Sequence, residues 1–291
     1  MIRKAVIPAA GFGTRFLPLT KAQPKEMLPI IDTPTIQLVV EEAVASGITD
    51  ILMVIGKSKR AIEEHFDRNY ELENELVEKA KDDQLSQVQE ISSMANIHFV
   101  WQKELKGLGD AVLHARSHVG NEPFALLLGD TVLESNTDKP VTQQLMDVHN
   151  EHQGTVVAIE QVPEFKIPRY GIFDGIKTTE CVYKAINLVE KPEIEDAPSN
   201  LALAGRYVFE PDIFDYLVEQ KRGKNNEIQL TDAMIAMIKS RPMFGCEFDG
   251  QRHDLGNKLD FIKTNLYYAL KSPELRDQLV LYMKKLLEKI D

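Results

Sequence analysis

The chain has 291 residues, 43% of them apolar, with a formal net charge of −11 and a pI near 5.2. That is enough apolar material for one large α/β domain or two smaller ones, and the acidic balance argues against nucleic acid or an anionic membrane as partner. No run approaches the length of a transmembrane helix, Met1 leads straight into a strand-like run rather than a signal peptide, and Cys181 and Cys246 lack metal-ligand spacing, so a cytoplasmic protein with reduced thiols is expected.

The chain opens on Ala5-Val6-Ile7-Pro8, a short apolar run that predicts a first strand. It leads into Ala9 to Pro29, AAGFGTRFLPLTKAQPKEMLP, where Gly11 and Gly13 allow a sharp turn with exposed N–H groups. Residues 1–25 hold five basic side chains and no acid, so the other 266 residues carry −16. A positive pole in an acidic chain, beside glycine-exposed amides, points to an anion and specifically to phosphate. Two familiar phosphate loops are excluded: Phe16 stands where a dinucleotide fingerprint needs its last Gly, and no G-x-x-x-x-G-K-[ST] run occurs. A rigid, proline-bounded surface loop with solvated lysines is the alternative for this stretch.

Asp32-Thr33-Pro34 reads as a cap before a helix carrying Ile36, Val39, Val40, Ala43 and Val44, stopped by Gly47. Ile51 to Ile55 is a continuous apolar run, as expected of a strand buried on both faces, which completes a βαβ unit. Ser58 is expected to cap the next helix, and residues 70–93 form a charged helical excursion. The segment 97–101 predicts a strand ending at Gln102, and Gly107-Leu108-Gly109 opens a helix. Phe124 to Leu128 is the most apolar strand and ends in Gly129-Asp130. Ligands of open α/β sheets collect beyond the carboxyl ends of strands, where Gly11, Gln102 and Asp130 all fall.

After residue 160, short β-like pieces at 170–173, 182–189 and 201–209, broken by prolines, predict a second lobe on the same sheet. Strand-like 243–248 leads to His253-Asp254-Leu255-Gly256 and a helix over 257–270. The tail from Ser272 sets Leu275, Leu279, Met283, Leu286 and Ile290 on one helical stripe that needs cover from its own domain or from another subunit; a homo-oligomer, dimer or tetramer, joined through this tail or through residues 70–93, is expected.

The motifs GFGTRFLP, KAQPKEMLP, SKRAIEEHFD, KGLGDAV, LLLGD, VEKP, GRYVFEP, NEIQLTDA and HDLGNKL occur in that order over nearly the whole chain. In them the chain resembles the sugar-nucleotide pyrophosphorylases. The resemblance implies a Rossmann-like nucleotidyltransferase fold: a mostly parallel central sheet flanked by helices, a smaller β-rich sugar-binding lobe, and C-terminal helices. It implies a nucleotidyltransferase domain over residues 1–270, with a nucleotide part about 1–160 and a sugar part about 161–256, followed by a helix at 271–291.

It further implies transfer of a uridylyl group from UTP to glucose 1-phosphate, with Mg²⁺ as cofactor, giving UDP-glucose and pyrophosphate. Such a reaction aligns two anions for in-line attack, so charge neutralisation matters more than a covalent nucleophile. Arg15 and Lys25 fall at the family's catalytic positions, and a guanidinium fork suits a triphosphate. Ala9, Ala10, Gly11, Gly13, Thr14, Gln102 and Gly107 fall at nucleotide positions; Gly171, Glu190, Lys191 and Gly205 at sugar-phosphate positions; Asp130 and Asp254 at metal positions. On spacing alone Asp130 reads first as a turn or cap residue, Asp254 also as a turn residue before a helix, Gln102 first as a polar strand end, and the Glu190-Lys191-Pro192 run as a charged strand terminus. One position departs: the family commonly has His where this chain has Asp110, which sets a negative charge near the nucleotide. The competing expectations are a dTTP-using thymidylyltransferase, a catalytically silent regulatory paralogue, and a plain nucleotide-sugar binding module. The intact G-x-G-T-R loop and Lys25 speak against the silent paralogue, and the paired carboxylates against the module.

Overall fold

A computed structural model describes residues 2–221, 223 and 226–289. The first strands are β1 (Lys4–Ala9), β2 (Pro29–Ile30), β3 (Thr33–Pro34), β4 (Asp50–Ile55), β5 (Asn96–Trp101), β6 (Phe124–Leu127) and β7 (Thr131–Ser135). Then come β8 (Thr155–Gln161), β9 (Gly171–Lys177), β10 (Val182–Glu190), β11 (Leu201–Phe209), β12 (Met243–Glu247) and β13 (Gly250–Asp254). The helices are α1 (Thr35–Ala45), α2 (Arg60–Phe66), α3 (Tyr70–Glu78), α4 (Asp82–Ser93), α5 (Leu108–Leu113) and α6 (Arg116–Val119). Further on lie α7 (Val141–His152), α8 (Ile213–Glu219), α9 (Leu230–Ile238), α10 (Lys258–Lys271) and α11 (Pro273–Leu287).

Nine strands form one sheet in the order β5-β4-β1-β6-β11-β8-β12-β10-β9. The first four are mutually parallel, so the carboxyl ends of β1, β4, β5 and β6 share one edge. The parallel character expected of the sheet belongs to this half. From β11 onward neighbours run antiparallel, except for the parallel pair β8 and β12. The second lobe is thus the continuation of the same sheet, with β11 as the strand that joins the halves.

Alternation along the strands sorts apolar side chains onto two faces. Ile7, Ile51, Met53 and Leu127 pack with Ile36 and Val40 of α1 on one face. Val6, Leu52, Phe124 and Leu126 pack with Val112, Phe214 and Met234 on the other. All of β4 after Asp50, all of β6 and all nine residues of β11 are buried, which requires helices on both sides.

Inside β11 sits one charged residue, Arg206, 1% exposed. All five of its N–H donors are used. Nε and Nη2 donate to Glu42 Oε2 of α1 at 3.0 and 2.7 Å, Nη2 also to the Thr131 carbonyl at 2.9 Å, and Nη1 to the carbonyls of Gly205 and Leu128 at 3.0 and 3.4 Å. The other Glu42 oxygen accepts from Thr142 N and Oγ1 at 3.1 and 2.7 Å. One buried ion pair therefore ties α1, α7, β11 and the turn between β6 and β7 together.

Several local expectations meet different geometry. Ser58 takes φ 71° and caps nothing; α2 starts two residues later without a side-chain cap. Asp32 lies in the turn between β2 and β3, and Pro34 stands immediately before α1. The excursion at 70–93 is two helices, α3 and α4. A ribbon of β7 against β13, unforeseen in the sequence, pairs Thr131 with Asp254. In the tail, α11 buries none of its residues fully, and Ile290 lies outside the described residues.

Removing one partner of a dry ion pair strands the other, at a cost of about 3–5 kcal/mol, whereas replacing both with apolar groups is often nearly neutral. Arg206→Met should therefore lower the urea-unfolding free energy by about 3–5 kcal/mol, and the double variant Arg206→Met/Glu42→Leu should recover part of that loss. Additive losses in the double variant would mean that the pair does not carry the linkage.

Candidate active site

The loop after β1 folds back on itself. Gly13 has φ 65°, and a Cβ there would stand 3.0 Å from Lys25 Cβ and 3.1 Å from Thr20 Cγ2, so this position needs glycine. Thr20 Oγ1 donates to the Gly13 carbonyl at 2.8 Å. Single turns at Thr14–Phe16, Leu19–Lys21 and Lys25–Met27 then return the chain beneath its own start. Ala9 and Ala10 are buried, while Gly11, Thr14 and Arg15 face solvent.

Lys25, expected at a catalytic position, is paired: its Nζ lies 2.5 Å from Asp130 Oδ2. Burial favours the uncharged lysine, yet the Asp130 and Glu26 carboxylates outweigh it and hold Lys25 above the ordinary lysine range. Burial likewise pushes Asp130 up, and Lys25 more than reverses this, so its carboxyl stays below the ordinary range. Behind them Glu26 and Lys59 form a second pair at 2.7 Å, 1% and 5% exposed. Sequence reasoning passed over both, although Glu26 sits inside the quoted PKEML run.

Asp130 and Asp254, 124 positions apart in the chain, are brought together by the β7–β13 ribbon. Leu255 N donates to the Asp130 carbonyl at 3.2 Å. Asp254 Oδ1 accepts from Gly256 N at 2.8 Å and Oδ2 from Tyr170 OH at 2.7 Å. Arg15 Nη1 donates to the Gly256 carbonyl at 3.3 Å, which places Arg15 over the loop that carries Asp254.

A cleft of about 960 Å³ opens here, lined by Arg15, Asp130, Gly171, Glu190, Lys191, Gly205 and Asp254 among others. At its far end Glu190 Oε2 accepts from Thr231 Oγ1 at 2.7 Å and Oε1 meets Lys191 Nζ at 2.9 Å. A Cβ on Gly171 would stand 2.9 Å from Leu203 Cδ1 and 3.2 Å from Glu190 Oε2. Gly205 takes φ 78° at the register slip between Leu203 and Tyr207. Arg252, unforeseen, stacks 4.0 Å over the Tyr170 ring, donates to the Leu203 carbonyl at 3.0 Å and pairs with Glu160. It steadies the tyrosine that holds Asp254.

The remaining expected residues lie at the strand-end edge rather than on the cleft lining. Gln102 is 4% exposed, and its Nε2 donates to the Gly107 carbonyl at 3.2 Å and Asp110 Oδ2 at 2.7 Å. Gly107, at φ 99°, touches residues 227–228 so closely that a Cβ would stand 2.7 Å from the Ile228 carbonyl. Its glycine is required by packing, whatever it binds.

Chemically, the site offers an exposed guanidinium and glycine amides at one end, and a carboxylate, a hydroxyl and an ammonium at the other. Between them stand two carboxylates. This oxygen donor set suits a hard divalent cation such as Mg²⁺, which takes one or two carboxylates and completes its shell with water and phosphate.

Fold and site together define a nucleotidyltransferase. A family model described as nucleotidyl transferase matches residues 4–270, and the chain belongs to that family. It is 54% identical over 285 residues to a UTP–glucose-1-phosphate uridylyltransferase of Staphylococcus haemolyticus, covering 98% of each chain. It is also similar to a UDP-glucose pyrophosphorylase solved with UDP-glucose, at TM-score 0.87 and 42% identity, covering 94% of this chain and 100% of that one. A UTP-bound enzyme from Acinetobacter baumannii matches at TM-score 0.89 and 37% identity over 100% of both chains.

The Lys25–Asp130 pair gives a pH signature in metal-free protein. Asp130's depressed value contributes stability above the ordinary carboxylate range, lost as pH falls through its folded value. Lys25's raised value contributes stability below the ordinary lysine range, lost as pH rises through its folded value. The pair is at full strength between about pH 4 and pH 10. The stability advantage of the wild type over Lys25→Met, measured by urea unfolding with a chelator present, should shrink as pH drops below about 4. A constant difference from pH 3 to 8 would show that the pair is not formed.

Proposed function

We propose that the chain transfers the uridylyl group of UTP to glucose 1-phosphate, releasing pyrophosphate. The observation that carries the reading is near-complete coverage at 54% identity of a uridylyltransferase, with Arg15, Lys25, Asp130 and Asp254 all present in the chain.

In this reading a phosphate oxygen of the sugar phosphate attacks the α-phosphorus in line, and the bond to pyrophosphate breaks. Arg15 grips triphosphate oxygens with its fork, the amides of Gly11, Gly13 and Thr14 cradle the phosphates, and the amides around Ala9 and Ala10 face the base. Lys25 offsets negative charge at the reacting phosphorus, kept protonated by Asp130. Gln102 and Gly107 hold the base edge. At the other end Glu190 accepts from sugar hydroxyls, Lys191 reaches the sugar phosphate, and Gly171 and Gly205 let the backbone come close. The nucleotide then belongs to residues 1–160, the sugar to 161–256, and residues 271–291 form an appendage to a domain ending near 270.

Asp130 and Asp254 would hold Mg²⁺, which on binding screens the repulsion between the two phosphates. Tyr170 fixes Asp254 for that task, and Arg206 fixes the backbone on either side of Asp130.

We also infer a homo-oligomer. Of the expected stripe on α11, Leu275 and Leu286 are 36% and 44% exposed while Leu279 and Met283 are half-buried, and Leu281, Tyr282 and Leu287 add exposed apolar surface elsewhere on the helix that a second copy would cover. No described helix is long and apolar enough to cross a membrane.

The assay is pyrophosphate release from UTP and glucose 1-phosphate with Mg²⁺; no release from any nucleoside triphosphate sinks the reading. Asp130→Asn and Asp254→Asn should each stay folded, need more Mg²⁺ and turn over at least about a hundredfold more slowly. The double variant should lose little more than the worse single, since residues acting as a unit are non-additive. Losses that multiply, with an unchanged Mg²⁺ requirement, would separate the two carboxylates. For assembly, light scattering should give a dimer or tetramer that dissociates when residues 273–291 are removed; a monomeric full chain overturns it.

A further inference from the structure

Gln102 has an amide that can face two ways, and its surroundings permit one. The group nearest to it on one side is the Gly107 carbonyl, on another the Asp110 carboxylate, at 3.2 and 2.7 Å. A carbonyl and a carboxylate only accept, so both protons of Nε2 are committed to them. Turning the amide over would set Oε1 against two acceptors and strand the buried carboxylate of Asp110, itself 8% exposed. Oε1 therefore points away from both. It accepts from no donor among the described residues and is not one of their fully enclosed unsatisfied atoms, so it is open to a ligand.

That oxygen stands on the strand-end edge. Gln102 N donates to the Ile55 carbonyl at 2.8 Å. The next residue, Gly56, lies so near the phosphate loop that a Cβ on it would stand 2.8 Å from the Ala10 carbonyl. Gln102, the end of β4 and the start of the loop after β1 thus form one continuous rim.

We propose that Asp110 is a positioning residue for base specificity. By claiming the NH₂ of Gln102 it leaves only a carbonyl oxygen to meet the base, so the site takes a pyrimidine whose ring N3 carries a proton. Uracil and thymine do; cytosine presents a lone pair at the same atom and meets Oε1 with repulsion. The inference rests on the uridylyl-transfer reading and goes further, naming which atom selects the base and which residue sets it. It also states what Gln102 does not do: it does not separate uracil from thymine, which differ by a methyl group elsewhere on the ring.

Asp110→Asn keeps the size and can turn either its own oxygen or its own NH₂ toward Gln102, which frees the amide to flip. With glucose 1-phosphate fixed, the ratio of kcat/KM for UTP over CTP should fall about tenfold or more, through gain for CTP as well as loss for UTP, with KM for the sugar phosphate held within about twofold. An unchanged ratio, or an equal fall for both nucleotides, makes Asp110 merely structural and overturns the proposal. The underlying reading fails separately. A wild type that prefers dTTP ends the UTP assignment and moves the same comparison to dTTP and dCTP, whereas one that prefers CTP overturns both. Should Asp110→Asn not fold, the wild type still answers. Its Gln102 side-chain amide signal, assigned by its loss in Gln102→Leu in nitrogen-labelled protein, should show slowly exchanging protons, and rates like those of a solvent-exposed glutamine overturn the proposal.

Discussion

A single guanidinium in a dry strand governs much of this molecule. Arg206 interrupts nine buried residues, and its charge is tolerable there because every donor is matched. The matching partners are not arbitrary. Three are the carbonyls of Leu128, Gly205 and Thr131, which belong to the turn that aims Asp130 and to the strand slip that opens the cleft floor. The requirement to satisfy a buried charge is thereby converted into fixed backbone geometry beside Asp130 and the cleft, and Glu42 extends it through α1 to α7.

The site itself is built from charges in opposed pairs. Lys25 and Asp130 hold each other ionised despite burial, Glu26 and Lys59 do so less successfully just behind, and Glu190 meets Lys191 at the far end of the cleft. Burial raises Glu26 and lowers Lys59, so that pair is the less polarised, and its contribution is mainly to seat the turn carrying Lys25. An anionic substrate entering such a site meets the exposed guanidinium of Arg15, which donates to the Gly256 carbonyl. The positive pole of the first 25 residues is therefore divided: one charge is presented outward, another is held in reserve against a carboxylate.

The order of strands and helices was legible because the strands are short apolar runs and the helices carry regular stripes. The 201–209 strand matches the expected bounds. Local caps were less legible, since Ser58 in the left-handed region and Asp32 in a ribbon turn owe their conformations to what packs around them. The β7–β13 ribbon was invisible because its pairing joins segments more than a hundred residues apart, and neither segment alternates strongly. With it went the reason that Asp130 and Asp254 meet. Arg206 and Arg252 could have been found: a lone Arg in LALAGRYVF signals a buried partner, and QRHD places Arg252 two residues before an expected carboxylate. Partner identity was beyond reach, because Glu42 and Glu160 are two of many acids.

Gln102 shows why residue type alone underdetermines recognition. Glutamine offers a donor and an acceptor, and by type it suits either a uracil or a cytosine edge. Its neighbours remove that freedom, since a carbonyl and a carboxylate consume both amide protons. Recognition then depends on a residue that need not touch the ligand. A substitution at 110 from an acceptor to a donor would reverse the polarity shown to the base while Gln102 itself stayed unchanged. Specificity of this kind is carried by a pair: the Asp110 carboxylate faces the Gln102 amide, and under the proposal above Gln102 would present one oriented carbonyl to the base.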